Sequence, residues 1–262
     1  MALRATMPAM ELIIPVDGGE VWAEDTGGNG LPLVLLHPGW GDSAIWDPML
    51  RRLAARYRVI RFDMRGYGRS PAPTAPFIYL GDLVTVLDRL GVRQAALVGH
   101  SAGGGTAIGL ALAQPDRVSA LVLMAPGLQD YPWPEDDPYV KEFDDLFAAG
   151  DRDGLMQLGL RTWAAASADP AAREQIASGV AAFFALGDYE LPDPPGYLRL
   201  GEIGVPSVVA IGDLDYAMVR ECARHIAGRI PGSSLVVVPG ADHLLPLRAP
   251  ALLAELIAER VP

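Results

Sequence analysis

Two kinds of segment alternate along this chain. Short runs rich in Val, Ile and Leu recur at residues 11–14, 21–24, 32–37, 57–63, 95–100, 120–125, 207–212 and 234–239. The last six are nearly continuous apolar runs, as parallel strands covered on both faces require. Between them, apolar residues recur at helical spacing over 45–56, 78–90, 102–114, 216–227 and 250–260. Strand–helix alternation predicts an α/β fold, with a mostly parallel eight-stranded sheet flanked by helices. The first two runs are more polar and are joined by Asp17-Gly18-Gly19. They predict an antiparallel hairpin at the sheet edge.

The rhythm breaks between residues 127 and 204, where no buried-strand run occurs. Helical patterns at 138–149, 154–166 and 170–186 are separated by Pro- and Asp-rich turns such as Tyr131-Pro132-Trp133-Pro134. The expected organisation is a core built from residues 1–126 and 205–262, with a helical cap inserted at 127–204. Segments at strand C-terminal ends sit where α/β sheets bind ligands, so the cap is expected to cover a pocket.

Composition narrows the function classes. Half of the 262 residues are hydrophobic and a fifth are charged, which excludes a disordered chain. Acidic residues outnumber basic ones 32 to 21, for a net charge of −11. The densest basic stretch, 51–61, reads as an exposed helix and the start of a strand, so no nucleic-acid partner is expected. The single lysine, Lys141, lies in an acidic helical stretch and reads as solvated rather than Schiff-base-forming. The single cysteine, Cys222, allows no intramolecular disulfide and reads as helix packing. No run reaches the ~18–20 apolar residues that span a bilayer, so no membrane association is expected. Residues 1–10 read as a short loose leader with Met7 and Met10 as alternative starts, and the expected compartment is the cytoplasm.

The strongest chemical signal is Gly99-His100-Ser101-Ala102-Gly103. It follows a buried strand and opens a small-residue helix, the context of a nucleophile elbow with Ser101 at its apex. Gly99 and Gly103 are expected to relieve collisions with the turn, and Gly104 and Gly105 to let the helix approach the sheet. A phosphate-binding turn would need Gly-Lys-Ser/Thr or a full Gly-x-Gly-x-x-Gly, and neither is present.

A serine hydroxyl needs a base, and the chain has four histidines. His37 ends a strand. His100 neighbours Ser101 but should point away, and His225 lies mid-helix. His243 sits on the loop between the last strand and the last helix and is the natural base. The base needs an orienting carboxylate. The strand at 207–212 runs into Asp213-Leu214-Asp215, where Asp215 is preferred and Asp213 remains an alternative. An oxyanion hole would use the N–H of Ala102 and one from the loop after His37. Pro38 has no N–H, which leaves Gly39 and then Trp40.

Several stretches resemble the α/β-hydrolase superfamily over nearly the whole chain. They are His37-Pro38-Gly39-Trp40-Gly41-Asp42-Ser43, Asp63-Met64-Arg65-Gly66-Tyr67-Gly68-Arg69-Ser70, the Ser101 elbow, Gly212-Asp213-Leu214-Asp215 and Ala241-Asp242-His243. The chain departs from the family pattern where His37-Pro38 replaces the usual His-Gly. Its general likeness is to small bacterial esterases and enol-lactonase-like proteins. The resemblance implies a structural turn at 63–70 near the rim of the site. The acidic trio Glu135-Asp136-Asp137 reads as a solvated loop and helix start. No ligand-like spacing of His, Cys or acids suggests a metal, and no cofactor is expected.

The resulting expectation is a serine hydrolase acting on a small to medium carboxylic ester or lactone. Trp40, His100, Trp133 and Leu244 are the expected pocket residues. The chain is expected as a monomer or homodimer. The same triad also supports C–C bond hydrolysis, perhydrolysis or hydroxynitrile cleavage, and a slow-turnover receptor is a further alternative. Ser101 at the elbow argues against an aspartate-nucleophile enzyme.

Overall fold

The computed structural model describes residues 9–261. The leader expected at the N-terminus lies outside the described residues up to residue 8, and Met10 already pairs with Asp25 as the start of a strand. Strands β1 (Met10–Val16) and β2 (Gly19–Asp25) form the anticipated hairpin, with Gly18 in the turn at φ +68°. Six further strands follow: β3 (Pro32–Leu36), β4 (Arg58–Phe62), β5 (Ala95–His100), β6 (Val118–Met124), β7 (Ser207–Gly212) and β8 (Ser234–Val238). One eight-stranded sheet results, in the order β1-β2-β4-β3-β5-β6-β7-β8. All pairings from β4 onwards along that order are parallel.

Helices α1 (Asp47–Ala54), α2 (Tyr79–Arg89) and α3 (Ala102–Ala113) connect the first parallel strands. Between β6 and β7 lie α4 (Pro138–Ala148), α5 (Arg152–Trp163) and α6 (Pro170–Leu186). Asp137, Asp151 and Asp169 cap their N-termini, each accepting a backbone N–H of the first turn. The chain ends with α7 (Ala217–Arg229), a short α8 (Leu245–Arg248) and α9 (Pro250–Arg260). α1 packs with α9, and α2 with α3, so the central strands β5 and β7 are buried along their whole length. β8 departs from the expectation of double cover: it has one strand neighbour, and Val237 is 53% exposed. An edge strand lacks the second neighbour whose connecting helix would shield it.

The site is positioned by the turn from β5 into α3. Ser101 sits there at φ 52°, ψ −117°, outside the regions an L-residue ordinarily adopts. Its N–H donates to the Met124 carbonyl at 3.0 Å, and its carbonyl accepts from Gly127 N–H at 2.8 Å, so the end of β6 pins the strained residue from both sides. A Cβ on Gly99 would lie 2.5 Å from the Gly103 carbonyl oxygen and 2.7 Å from Gly104 Cα. Gly103 has a different reason from the one expected: its Cβ would meet the Leu36 and His37 carbonyl oxygens, at 2.4 and 2.7 Å. Gly104 faces Pro126, whereas a Cβ on Gly105 would find nothing closer than 3.5 Å, so Gly105 is not needed for the close approach.

These contacts set opposite outcomes for two small substitutions. Gly99→Ala should lower unfolding free energy by about 1–3 kcal/mol through overpacking. Gly105→Ala should leave it unchanged or raise it by up to about 1 kcal/mol through helix propensity. Denaturant titration of both variants measures the difference, and equal losses would contradict the assigned contacts.

Candidate active site

Asp215 and His243 are brought together from the loops after β7 and β8. His243 Nδ1–H donates to the Asp215 carboxylate, with oxygens at 3.0 and 3.1 Å, and both side chains are buried. Asp215 also accepts Tyr216 N–H at 2.7 Å. Asp213 instead accepts Gly240 N–H at 2.7 Å and holds the turn. Asp242 accepts from Ala166 N–H, Leu244 N–H and Arg248 Nε, a clamp between the insertion and α8. Among the described residues the ring of His243 bonds only to Asp215, and no hydrogen bond joins it to the Ser101 hydroxyl.

The two loops are instead linked through His100. Its Nε2–H donates to the His243 carbonyl at 2.8 Å, while its buried Nδ1 has no partner among the described residues. His100 is therefore not the pocket residue expected: it is fully buried behind the elbow. Successive residues at a strand end face opposite sides, and Ser101 takes the cavity side. Leu244, also expected in the pocket, joins the hydrophobic core instead and is absent from the cavity wall.

The loop after β3 is held by buried polar contacts. His37 Nδ1–H donates to the Pro38 carbonyl and its Nε2 accepts Met64 N–H, both at 2.8 Å, which defines the neutral tautomer. Asp63 accepts Ser43 N–H at 2.9 Å and Arg69 N–H at 2.9 Å, so the 63–70 turn braces the same loop. Among the described residues, nothing accepts a hydrogen bond from the N–H groups of Gly39, Trp40 or Ala102.

The insertion grips this loop as well. A Cβ on Gly179 would lie 2.8 Å from Trp40 Cα, and one on Gly159 would lie 2.6 Å from the Trp40 ring. Gln175 accepts Asp42 N–H and donates to Asp42 Oδ1, each at 3.1 Å, and Ser178 donates to Asp42 Oδ2 at 2.7 Å. The Trp40 and Trp163 indole N–H groups both donate to the Tyr139 hydroxyl oxygen, at 3.0 and 3.2 Å. None of Tyr139, Gln175 or Ser178 was singled out from the sequence. The available signal was the pair of mid-helix glycines, which cost helix stability and therefore mark close approach.

A cavity of about 440 Å³ opens over Ser101. Gly39, Trp40 and Ala102 form its floor with Ser101, and Trp133, Tyr139 and Trp163 are among its walls. Trp40 and Trp133 both line the cavity. Asp137, expected in a solvated loop, is instead 9% exposed and lines the cavity, because its carboxylate caps α4 and accepts the Tyr216 hydroxyl at 2.6 Å. His243 is not itself a wall; the Trp163 indole, which is, stands 4.6 Å from the imidazole between ring centroids. Among the described residues no group of three or more His, Cys, Asp or Glu is arranged to hold a metal ion. No helix among them is long and apolar enough to cross a membrane.

Residues 32–171 match the family model described as the alpha/beta hydrolase fold. The chain belongs to that family. A protein of Caulobacter sp. (strain K31) named for carbamate hydrolysis is 29% identical over 240 residues, 83% of this chain and 85% of its own. A pimeloyl-[acyl-carrier protein] methyl ester esterase of Aeromonas hydrophila is 30% identical over 253 residues, 88% of this chain and 95% of its own. Among solved structures, an N-acyl homoserine lactone degrading enzyme, Est816, aligns with a TM-score of 0.80 and 26% identity, over 95% of this chain and 100% of that one. This alpha/beta hydrolase therefore shares its architecture and its hydrolase family with proteins named for ester-like substrates.

Burial gives this site a pH signature. Desolvation holds the pKa of His100 well below 6.5, with the nearby His243 acting in the same direction. Protonation thus favours the unfolded chain, so the His100 contribution is complete above about pH 6.5 and is lost as pH falls below it. His37 is lowered by burial in the same way. The melting temperature should fall between about pH 7.5 and about pH 5, and the fall should be shallower in His100→Gln, which keeps a donor for the His243 carbonyl. Calorimetry across that range checks the slope. Identical slopes would remove His100 as a contributor.

Proposed function

We propose that this alpha/beta hydrolase is a serine hydrolase of small to medium carboxylic esters or lactones, acting through an acyl-enzyme on Ser101. The observation that carries the reading is the position of Ser101. It occupies a strained turn at the floor of the cavity, together with Gly39, Trp40 and Ala102, whose N–H groups have no acceptor among the described residues, and the lining residue Trp163 stands 4.6 Å from the imidazole of the Asp215–His243 pair.

In this mechanism His243 Nε2 takes the Ser101 hydroxyl proton as Oγ attacks the substrate carbonyl carbon. Asp215 orients the imidazole and stabilises the imidazolium. The carbonyl oxygen gains negative charge and accepts hydrogen bonds from Ala102 N–H and from Gly39 or Trp40 N–H. Each such donor is worth about 3–4 kcal/mol to the transition state. His243 then passes its proton to the departing alkoxide, and the same steps with water release the acid and restore Ser101. Neither step needs a metal or cofactor.

The insertion at 127–204 acts in this reading as a cap. Trp133, Tyr139, Trp163 and Phe183 come from it and wall the cavity, which excludes water and favours apolar acyl groups. Esters, lactones and carbamates all present an acyl carbonyl with a heteroatom leaving group, in keeping with the names of the relatives. The small cavity supports short acyl chains over long ones and a small-molecule partner over a polymer.

A serine-directed phosphonate should label the wild-type protein once and leave Ser101→Ala unlabelled, as read by intact-protein mass spectrometry. Equal labelling of both would remove Ser101 as the nucleophile. With p-nitrophenyl butyrate, Asp215→Asn should lower kcat by orders of magnitude while Asp213→Asn changes it little. The reverse ranking would transfer the role to Asp213.

A further inference from the structure

The Tyr139 hydroxyl has an unusual set of partners. Two indole N–H groups, from Trp40 and Trp163, point at its single oxygen at 3.0 and 3.2 Å. A phenol oxygen has room for about two incoming donors beside its own O–H. Both acceptor positions are therefore taken by the protein, and the O–H is left as a donor. No acceptor for it exists among the described residues, and Tyr139 lines the cavity over Ser101. Burial keeps the phenol protonated, outweighing the two N–H groups that would favour its anion. Donors directed onto a hydroxyl also polarise its own O–H, which strengthens the bond it gives.

The charge of the cavity wall narrows the acceptor. The lining includes the carboxylates of Asp137 and Glu190 and neither lysine nor arginine. Asp137 Oδ1 is occupied by Tyr139 N–H and the Tyr216 hydroxyl, and Glu190 Oε2 by the Tyr79 hydroxyl. An anionic ligand would meet the Asp137 carboxylate and, where ionised, that of Glu190, whose pKa burial raises, with no countercharge among the described lining residues.

We propose that Tyr139 is a specificity-determining donor to a second, uncharged oxygen of the substrate, distinct from the reacting carbonyl. The preferred acyl group therefore carries a keto, amide or ether oxygen and no carboxylate. This rests on the reading of Ser101 as the nucleophile, and it divides the ester and lactone substrates of that reading into favoured and disfavoured classes.

Near-isosteric p-nitrophenyl esters test it. Levulinate is compared with pentanoate, and methoxyacetate with butyrate, so that an oxygen is offered at two distances. Hemisuccinate supplies the anionic counterpart of levulinate. For at least one pair, the ratio of kcat/KM for the oxygenated ester to that for the plain ester should be about five- to tenfold higher in wild type than in Tyr139→Phe. Taking the ratio within each protein cancels both the intrinsic reactivity of the esters and any shift of the two indoles. Hemisuccinate should be the poorest of its set in wild type and should improve in Glu190→Gln. Ratios unchanged by Tyr139→Phe in both pairs would overturn the donor role. Hemisuccinate turned over as well as levulinate would overturn the exclusion of anions.

A second readout does not depend on turnover. Methyl levulinate and methyl pentanoate are titrated into Ser101→Ala, with tryptophan fluorescence reporting occupancy of the Trp-lined cavity. Tighter binding of the levulinate, lost when Tyr139→Phe is added, supports the donor role even if no ester is hydrolysed. Where no ester is hydrolysed to give a kinetic ratio, equal binding of the two esters there rejects it. Failure of Ser101-dependent hydrolysis alone would count against the nucleophile and not against Tyr139.

Discussion

The contact on which the site depends is the approach of α3 to the end of β3 at Gly103. There the helix backbone lies so close that a single Cβ would collide with the Leu36 and His37 carbonyl oxygens. Gly103 N–H donates to His37 O at 3.2 Å, one residue before the loop that carries Gly39 and Trp40. Ser101, two residues earlier, is bonded on both sides to the end of β6. One backbone junction thus fixes the separation between the elbow and the loop opposite it. Close-packed backbone deforms little, so strain at Ser101 is maintained without a dedicated side chain.

The second constraint comes from outside the sheet. The loop of Gly39 and Trp40 has few backbone hydrogen bonds of its own and is held by side chains from two directions. From the core, His37 and Asp63 fix its ends. From the insertion, Gln175 and Ser178 hold Asp42, while Gly159 and Gly179 let α5 and α6 lie directly on Trp40. Oxyanion donors stabilise a transition state only as far as they are already in place. In the proposed mechanism the inserted helices therefore set loop geometry as well as walling the cavity. A lid that swung away as a rigid unit would break the Asp42 contacts and disturb the donors.

Much of this was legible in the sequence because it is local. Buried parallel strands need continuous apolar runs, and the elbow needs small residues at fixed offsets, so β3 to β7 and the Ser101 turn could be read within a residue or two. The hairpin followed from Asp17-Gly18, where the turn requires positive φ. Asp215 could be preferred over Asp213 because it lies further out on the loop, and the structure carries it to His243. What escaped was non-local. Gln175 and Asp42 are separated by more than 130 residues, and neither has a pattern that names the other. For His100 the alternation at the end of β5 already points away from Ser101, and the structure follows that alternation rather than the expected place in the pocket. Leu244 was placed there by proximity to His243, yet it joins the core.

Trp163 ties these layers together. It ends α5, its N–H is fixed by Tyr139, and its ring covers the His243 imidazole. An imidazole held this way faces a carboxylate on one side and an indole on another, with little water near either. When the ring accepts a proton, Asp215 compensates the charge at close range, and the electron-rich indole adds a smaller attraction. The same enclosure would penalise an imidazolium that lacked its carboxylate. In the proposed mechanism the base, the loop donors and the cavity wall are therefore joined through three aromatic residues, Trp40, Tyr139 and Trp163, that meet at one hydroxyl oxygen. A substrate oxygen accepting the proton of that hydroxyl would bind to the one group in contact with both indoles, and so would occupy the point where recognition and positioning coincide.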